Sequence, residues 1–180
     1  MSEHEFGCVV IVLNGISKNF FYPGARVGYI AVHGAESKTR KLVFELNKKA
    51  TERLSANGEA QLGAYAAYSM SKSAYDGYIT PYIGELRARR DIVANGLNAI
   101  PNVKLVKPEG AFYAYFQVEG GIIKNDLKFA KKLIKKGVFV VPGSGFELDP
   151  WGTFFRLVFL PGEKVLRESI EIIGEFMSNF

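Results

Sequence analysis

Residues 8–14, with the sequence CVVIVLN, form a run of branched apolar side chains that limits the possible fold more than any other feature. A continuous apolar run of this length is typical of a strand that is buried on both faces. A second such run, VGYIAV at residues 27–32, follows a polar stretch that contains Gly15, Pro23 and Gly24. Two strands alone make at best a marginal sheet. The sequence therefore predicts that these strands pair with another chain or belong to a larger fold.

Three helices are predicted between the second strand and Pro101. Residues 36–54 repeat leucine and alanine at every fourth position, and residues 58–72 are rich in alanine, glycine and tyrosine. The second of these patterns indicates a helix that packs closely against its neighbours. The third helix is predicted to begin with Thr80 as its N-cap and Pro81 as its first residue, and to end at Pro101.

From about residue 100 onward the chain alternates between strands and helices. A short helix is predicted to begin at Asn125 or Asp126 and to end at Gly137, and an amphipathic helix closes the sequence. Two strands precede the first of these helices and two precede the second, which makes a compact α+β unit. The predicted strands lie at residues 103–106, 111–118, 138–141 and 154–160.

The charge of the chain gives no independent reason to expect nucleic-acid binding. Lysine and arginine number 23 against 18 aspartate and glutamate residues, and hydrophobic residues make up 48% of the chain. Much of the basic excess lies in KKLIKK at residues 131–136 and RARR at residues 87–90, inside amphipathic patterns. A solvated helix face explains these clusters better than a nucleic-acid partner does.

Cysteine, histidine and hydropathy patterns narrow the class of protein further. Cys8 is the single cysteine, which excludes an internal disulfide and fits a reducing compartment. His4 and His33 stand apart in the sequence, so no metal site is predicted. No apolar run approaches the roughly 20 residues of a membrane span, and the N-terminus lacks a signal pattern. The predicted location is therefore the cytoplasm, with no membrane partner.

Lys18 and Arg26 carry the chemistry of the loop between the first two strands. An uncharged lysine amine directed at a carbonyl forms a Schiff base, and the planar donors of an arginine suit a phosphate. Ser17 and backbone N–H groups of the loop can join such a phosphate site. A lysine that bonds an aldehyde beside a phosphate cradle describes a site for pyridoxal phosphate. From spacing alone, a solvated Lys18 and an Arg26 paired with a carboxylate remain open.

The segment NGISKNFFYPGARVGY resembles the cofactor-lysine segment of class I/II pyridoxal-phosphate aminotransferases, in which Ser-Lys is followed by Gly-x-Arg-x-Gly-Tyr. The resemblance implies that Lys18 is the Schiff-base lysine and that Ser17 and Arg26 bind the cofactor phosphate. Some members carry a hydroxyl three residues before the lysine; here Gly15 takes that place, where a backbone N–H could partly replace the contact. The remaining motif positions are occupied by Gly24, Gly28 and Tyr29.

The resemblance covers nearly the whole chain. The phrases ANGEAQLGAYAAY, RRDIVANGLN, PEGAFYAYF and VVPGSGFE follow in the order and spacing of the family. In FFRLVFLPGEKVLRESIEIIGEF the family's arginine binds the α-carboxylate of the substrate, and this implies that role for Arg156. Taken alone, Arg156 would equally fit a structural ion pair. VVPGSGF and FRLVFLP look most similar to the alanine-aminotransferase branch.

The resemblance also implies a fold and a division into domains. The chain is expected to be an α/β structure, the C-terminal portion of a fold type I aminotransferase. Residues 1–78 are expected to be a remnant of the large cofactor-binding domain with the lysine loop. Residues 79–180 are expected to form the long linking helix and a small α+β domain. A missing N-terminal half would be needed for a complete site, and members of the family are generally homodimers.

The implied function is transfer of an amino group between an amino acid and a 2-oxo acid. In the complete protein, Lys18 would hold pyridoxal phosphate and then relay the proton from the substrate Cα, while Arg156 anchors the carboxylate. The chain alone is expected to be weakly active or inactive. Two alternatives stay open: a non-catalytic interaction or assembly fragment, and a pyridoxal-phosphate lyase of the same fold.

Overall fold

The computed structural model describes residues 8–148 and 151–179. The chain divides into two compact units, Met1–Ile79 and Thr80–Phe180. The first unit is built on a two-stranded antiparallel sheet of β1 (Val10–Gly15) and β2 (Gly28–His33). Its register pairs the first residue of β1 with the last of β2 and Gly15 with Gly28.

The two predicted strands of the first unit are confirmed, but their predicted burial is wrong for the described chain. Leu13 is 74% exposed, and Ile11 and Ile30 are each 49% exposed. Within residues 8–148 and 151–179 no third strand joins this sheet, so neither face nor edge is covered by another strand. The apolar composition of the strands is therefore not matched by apolar contacts in the described part of the chain.

Two helices follow β2 in the first unit. Helix α2 covers Glu36–Ala50 and continues into a 3₁₀ turn, Thr51–Arg53. Helix α3 covers Gly58–Tyr68, and its N-cap is Asn57, whose Oδ1 accepts the Ala60 N–H at 2.9 Å. A shorter helix, α1 (Ile16–Asn19), lies earlier in the chain, in the loop after β1.

The prediction that residues 58–72 pack closely against their neighbours is wrong. Ala64 is the one buried residue of α3, while Tyr65 and Leu62 are 73% and 71% exposed. The apolar side chains of this helix, like those of β1 and β2, are therefore largely uncovered by the described residues.

Helix α4 covers Lys72–Asn98, so the predicted start at Thr80 and Pro81 is wrong. The Ser71 hydroxyl oxygen accepts the Ala74 N–H at 3.2 Å and provides a cap nine residues earlier. Pro81 lies inside the helix, where it removes one N–H donor without ending the hydrogen-bond ladder. The predicted end is confirmed, because the last turn closes just before Pro101.

The second unit contains a four-stranded antiparallel sheet of β3 (Val103–Leu105), β4 (Tyr113–Val118), β5 (Val141–Pro142) and β6 (Thr153–Val158), in the order β3-β4-β6-β5. The predicted order of strands and helices is confirmed. The strand predicted at residues 138–141 is shorter and begins later than predicted, because only Val141 and Pro142 pair with β6. The helices of this unit after α4 are α5 (Asp126–Ile134) and α6 (Glu163–Met177).

The core of the second unit lies between this sheet and its helices. Phe116 of β4 and Phe155 of β6 are fully buried, face each other across the strands and stack with ring centroids 5.3 Å apart. Gly96 of α4 lies against Ile170 of α6, so closely that an added Cβ would come within 2.9 Å of the isoleucine side chain. Because side chains alternate along a strand, the burial of Phe155 directs Arg156 to the opposite face of the sheet.

None of the helices in the described residues combines the length and apolar character that a membrane crossing requires.

Candidate functional site

The loop after β1 is held in place by Ile16. This residue is 1% exposed and belongs to a small buried cluster with Ala25 and Ala64. Its carbonyl oxygen accepts the N–H groups of Phe20 at 3.3 Å and Tyr22 at 3.2 Å. The chain therefore turns sharply around Ile16, and the residues of α1 that follow it, including Lys18, are carried by an anchored backbone.

Aromatic side chains hold the backbone two residues beyond Lys18. The Tyr78 hydroxyl donates a hydrogen bond to the Phe20 carbonyl oxygen at 3.0 Å. The Phe20 ring meets Tyr68 and Tyr75 edge-to-face, with centroids 5.3 and 5.6 Å away. Burial, together with the nearby Tyr29, raises the pKa of Tyr68, so its phenol is neutral at physiological pH. The lysine turn is thus fixed by the first part of α4 as well as by Ile16.

Ser17, Lys18 and Arg26 line one groove beside the ends of β1 and β2, with a volume of about 550 Å³. The other lining side chains are apolar or neutral, and no carboxylate of the described residues lines the groove. Arg26 has a left-handed backbone with φ of 54° and donates from its guanidinium to the Pro23 carbonyl oxygen at 3.1 Å. The groove is therefore suited to a phosphorylated anion.

Gly15 and Gly28 bring the backbones of the two strands close together at this groove. A Cβ on Gly15 would lie 2.8 Å from the Val27 carbonyl oxygen, and one on Gly28 would lie 2.8 Å from the Asn14 carbonyl oxygen. A hydroxyl-bearing side chain at position 15 therefore has no space in this backbone. The Gly15 N–H, considered above as a substitute phosphate donor, already donates to Asn14 Oδ1 at 2.7 Å.

Arg156 lies in the second unit, directly opposite Tyr115 of β4 and Val141 of β5. Its guanidinium carbon lies 4.9 Å from the centroid of the Tyr113 ring and 4.4 Å from that of Phe146. Its Nε is buried and has no hydrogen-bond acceptor among the residues that the structure describes. In the same residues no carboxylate pairs with it, which disfavours the structural ion pair.

The sequence analysis missed the residues that support the predicted site residues. Tyr78 is 58 positions from Phe20, and no local pattern connects them. Tyr113 had a signal, because the alternation in AFYAYF places it on the strand face opposite the buried Phe112 and Ala114. Phe146 is the last residue of a glycine-containing turn whose position only the folded sheet reveals.

The structure gives no support for a metal ion in the part of the chain that it describes. No group of three histidine, cysteine, aspartate or glutamate side chains is arranged to hold one in residues 8–148 and 151–179. His4, which the sequence analysis treated as isolated, lies outside the described residues.

Replacing Tyr78 with phenylalanine is expected to loosen the lysine turn by about 1 kcal/mol, the usual contribution of one neutral hydrogen bond. Amide exchange of Phe20 and Tyr22, whose N–H groups close the turn, should accelerate roughly fivefold. Tyr65→Phe is the matched control, because Tyr65 is 73% exposed and should leave these rates unchanged. Equal rates in wild type and Tyr78→Phe would show that the Tyr78 hydroxyl does not hold the turn.

Comparison with known proteins gives a consistent result. Residues 1–173 match the profile of the family described as aminotransferase class I and II. The chain is 31% identical over 173 residues, 94% of its length, to alanine aminotransferase of Mycobacterium tuberculosis H37Rv. It is 35% identical over 182 residues, 98% of its length, to aspartate aminotransferase of Sulfurisphaera tokodaii.

The fold is likewise shared with solved structures. The alanine aminotransferase from Pyrococcus furiosus superposes with a TM-score of 0.86 at 36% identity and covers 96% of this chain. This match confirms the predicted fold class. The chain spans 40% of the Mycobacterium tuberculosis relative and 43% of the Sulfurisphaera tokodaii and Pyrococcus furiosus proteins.

Proposed function

The chain belongs to the class I and II aminotransferases, and from this premise we propose that it supplies the lysine, phosphate and carboxylate sites of a transaminating enzyme. The proposed reaction moves an amino group between an amino acid and a 2-oxo acid. The observation that carries the proposal is the groove that Ser17, Lys18 and Arg26 line together. Because the chain spans 40–43% of its relatives, the proposed activity is that of a protein that also contains the remaining part.

The groove is proposed to hold pyridoxal phosphate. Ser17 and Arg26 would bind the phosphate, and both line the groove in which Lys18 lies. Lys18 would bind the aldehyde carbon through its amine. When bound, the cofactor supplies a ring that withdraws electrons from the Cα of the substrate.

Lys18 is proposed to act as the general base and acid of the reaction. Its free amine would take the proton from the substrate Cα and donate it to the cofactor carbon that carried the aldehyde. This transfer requires a fixed amine, because general acid–base catalysis depends on hydrogen-bond distance to the reacting atom. The anchored Ile16 and the Tyr78 hydrogen bond to Phe20 support this requirement.

Arg156 is proposed to bind the α-carboxylate of the substrate. Its buried Nε has no acceptor in the described residues, and a carboxylate can accept from Nε and a terminal nitrogen at once. Tyr113 and Phe146 restrict the guanidinium by stacking on it, so its fork is oriented before a substrate arrives. An arginine left unpaired in this way is better explained by an external anion than by a structural role.

The proposal includes the domains, assembly and location that the sequence analysis predicted. The first unit would belong to the large cofactor-binding domain, and the second would be the linking helix and small domain. The working form would be a cytoplasmic homodimer. The exposed apolar side chains of β1 and β2, such as Leu13 and Ile30, support a larger assembly, because exposed apolar patches of this kind mark surfaces that other protein segments bury. The chain alone would be weakly active or inactive.

The proposal is tested by covalent labelling of the full chain. The chain is mixed with an equal concentration of pyridoxal phosphate, reduced with sodium borohydride and analysed by peptide mass spectrometry. The pyridoxyl label is expected on Lys18, and excess inorganic phosphate should suppress it there because both anions need Ser17 and Arg26. Lys41, on the exposed face of α2, provides a comparison site at which phosphate should have no effect.

A label that is spread over surface lysines, or one that phosphate leaves unchanged, would contradict the proposed site. Arg26→Gln is a second variant, and we expect it to lower labelling of Lys18 without altering the reactivity of Lys41.

A further inference from the structure

Asp126, the first residue of α5, joins that helix to the turn that follows β5. Its Oδ1 accepts the Leu127 N–H at 2.7 Å, within its own helix. Its Oδ2 accepts the Ser144 N–H at 2.9 Å, across 18 positions of sequence. One carboxylate therefore binds two backbone groups that belong to separate elements.

The carboxyl of Asp126 is ionised at neutral pH. Burial, the largest single influence, raises its pKa, but the hydrogen bonds from Ser144 and Leu127 together hold the pKa below its ordinary value. An ionised acceptor makes both N–H hydrogen bonds stronger than a neutral one would. The contact is thus at full strength at the pH at which the protein would work.

The turn that Asp126 binds is the one that carries Phe146. It is a 3₁₀ helix, Gly143–Phe146, and ends at Glu147 in a left-handed conformation with φ of 57°. On its inner side Gly143 touches β6, where an added Cβ would lie 2.7 Å from the Phe154 carbonyl oxygen. The turn is therefore held by backbone contact at its start and by Asp126 one residue later.

Phe146 is the only residue of this turn that stacks on Arg156, with 4.4 Å between ring centroid and guanidinium carbon. The ring is itself 38% exposed, and its other described ring contact is an edge-to-face approach to Tyr115 at 5.9 Å. Because the ring is carried by the last residue of the turn, its position over Arg156 follows the position of the turn backbone.

We propose that Asp126 is a positioning residue for Arg156: it fixes the Gly143–Phe146 turn so that Phe146 covers one face of the guanidinium and keeps its donors aimed at a carboxylate. This inference rests on the proposed role of Arg156 in binding the substrate carboxylate. Asp126 itself does not touch the substrate. Its effect passes through the Ser144 N–H, the backbone of the turn and the Phe146 ring.

The first arm of the test follows the Phe146–Arg156 stack by NMR in the full chain labelled with ¹⁵N-arginine. A ring over the guanidinium shifts the Arg156 Nε–H resonance by its ring current, and Phe146→Leu defines the spectrum without that ring. Asp126→Ala is expected to move the resonance most of the way to the Phe146→Leu position. Asp126→Asn retains an oxygen acceptor and should give an intermediate value.

Asn125→Ala is the matched control. Asn125 is the N-cap of α5, and its Oδ1 accepts the Lys128 N–H at 2.7 Å, so this variant weakens the same helix start but spares the Ser144 contact. It should leave the Arg156 resonance in place. Equal shifts in Asn125→Ala and Asp126→Ala, or an unmoved resonance in Asp126→Ala and Asp126→Asn, would overturn the proposal.

The second arm measures binding of pyruvate, with pyruvamide as the probe that lacks a carboxylate. We expect pyruvate to move the Arg156 resonance, and Asp126→Ala to weaken its binding roughly tenfold, in the range of a lost cation–π contact. If pyruvate binds wild type and Asp126→Ala equally, Asp126 has no positioning role. If pyruvate leaves Arg156 unchanged in wild type, the proposed carboxylate site fails, and the first arm still decides whether Asp126 holds the turn.

Discussion

Arg156→Gln is expected to lower kcat/KM for amino-acid and 2-oxo-acid substrates by roughly 10²–10⁴-fold in the protein that contains the whole site. The glutamine cannot offer two parallel charged donors to a carboxylate, and each charge-assisted hydrogen bond contributes about 1.5–3 kcal/mol. The measurement is the steady-state rate of amino transfer at subsaturating substrate, which reports the loss of transition-state binding.

Arg156→Lys provides the control for charge in this experiment. It keeps one positive charge but loses both the planar fork and the stacking on Tyr113 and Phe146, so it should recover little of the lost rate. Full activity of the lysine variant would mean that a point charge suffices and that the geometry seen at Arg156 is not used. An unchanged rate in Arg156→Gln would remove Arg156 from substrate binding.

Phe155→Ala is expected to destabilise the second unit by about 3–5 kcal/mol, because it removes a fully buried ring and leaves a cavity. The ring packs against Phe116 and Phe129, with centroids 5.3 and 4.8 Å away, so two further aromatic residues lose contacts. Amide exchange in β4 and β6 should accelerate by roughly 10²–10⁴-fold.

Phe139→Ala makes the same chemical change at a residue that is 71% exposed, and it should alter the exchange rates of β4 and β6 by less than about threefold. Similar losses in the two variants would mean that burial of Phe155 is not what stabilises this sheet. Because Arg156 follows Phe155 along β6, the comparison also shows whether the strand that carries Arg156 is stabilised by the buried Phe155 ring.

The local sequence pattern was sufficient to predict those features whose chemical groups lie within a few residues of one another. The lysine loop could be predicted because an apolar strand, a turn rich in glycine and a second strand bracket Lys18 and Arg26, and the structure places both in one groove. The sequence also limited the start of α5 to Asn125 or Asp126, and Asn125 is the N-cap. The strands around Arg156 were predicted as well, because side-chain caps and alternation act over a few residues.

Prediction failed where distant residues compete or where burial depends on a partner surface. The start of α4 was misplaced because Thr80-Pro81 and Ser71 are both acceptable caps, and only the folded chain shows which one is used. The apolar composition of β1 and β2 predicts buried strands, but composition alone does not identify the surface that would cover them. The Tyr78 and Asp126 contacts join residues 58 and 18 positions apart, which no periodicity encodes.

Two glycines of the lysine segment, Gly24 and Gly28, differ in whether the structure leaves space for a side chain. Gly28 has a neighbouring carbonyl oxygen where a methyl group would have to go, whereas at Gly24 no atom of the described residues lies within 4 Å of that point. Steric exclusion thus accounts for one glycine of the Gly-x-Arg-x-Gly-Tyr signature and leaves the other unexplained by space inside this chain. A natural variant with alanine at position 24 would keep the shape of the groove beside Lys18, so that shape alone does not require the glycine that the signature has there.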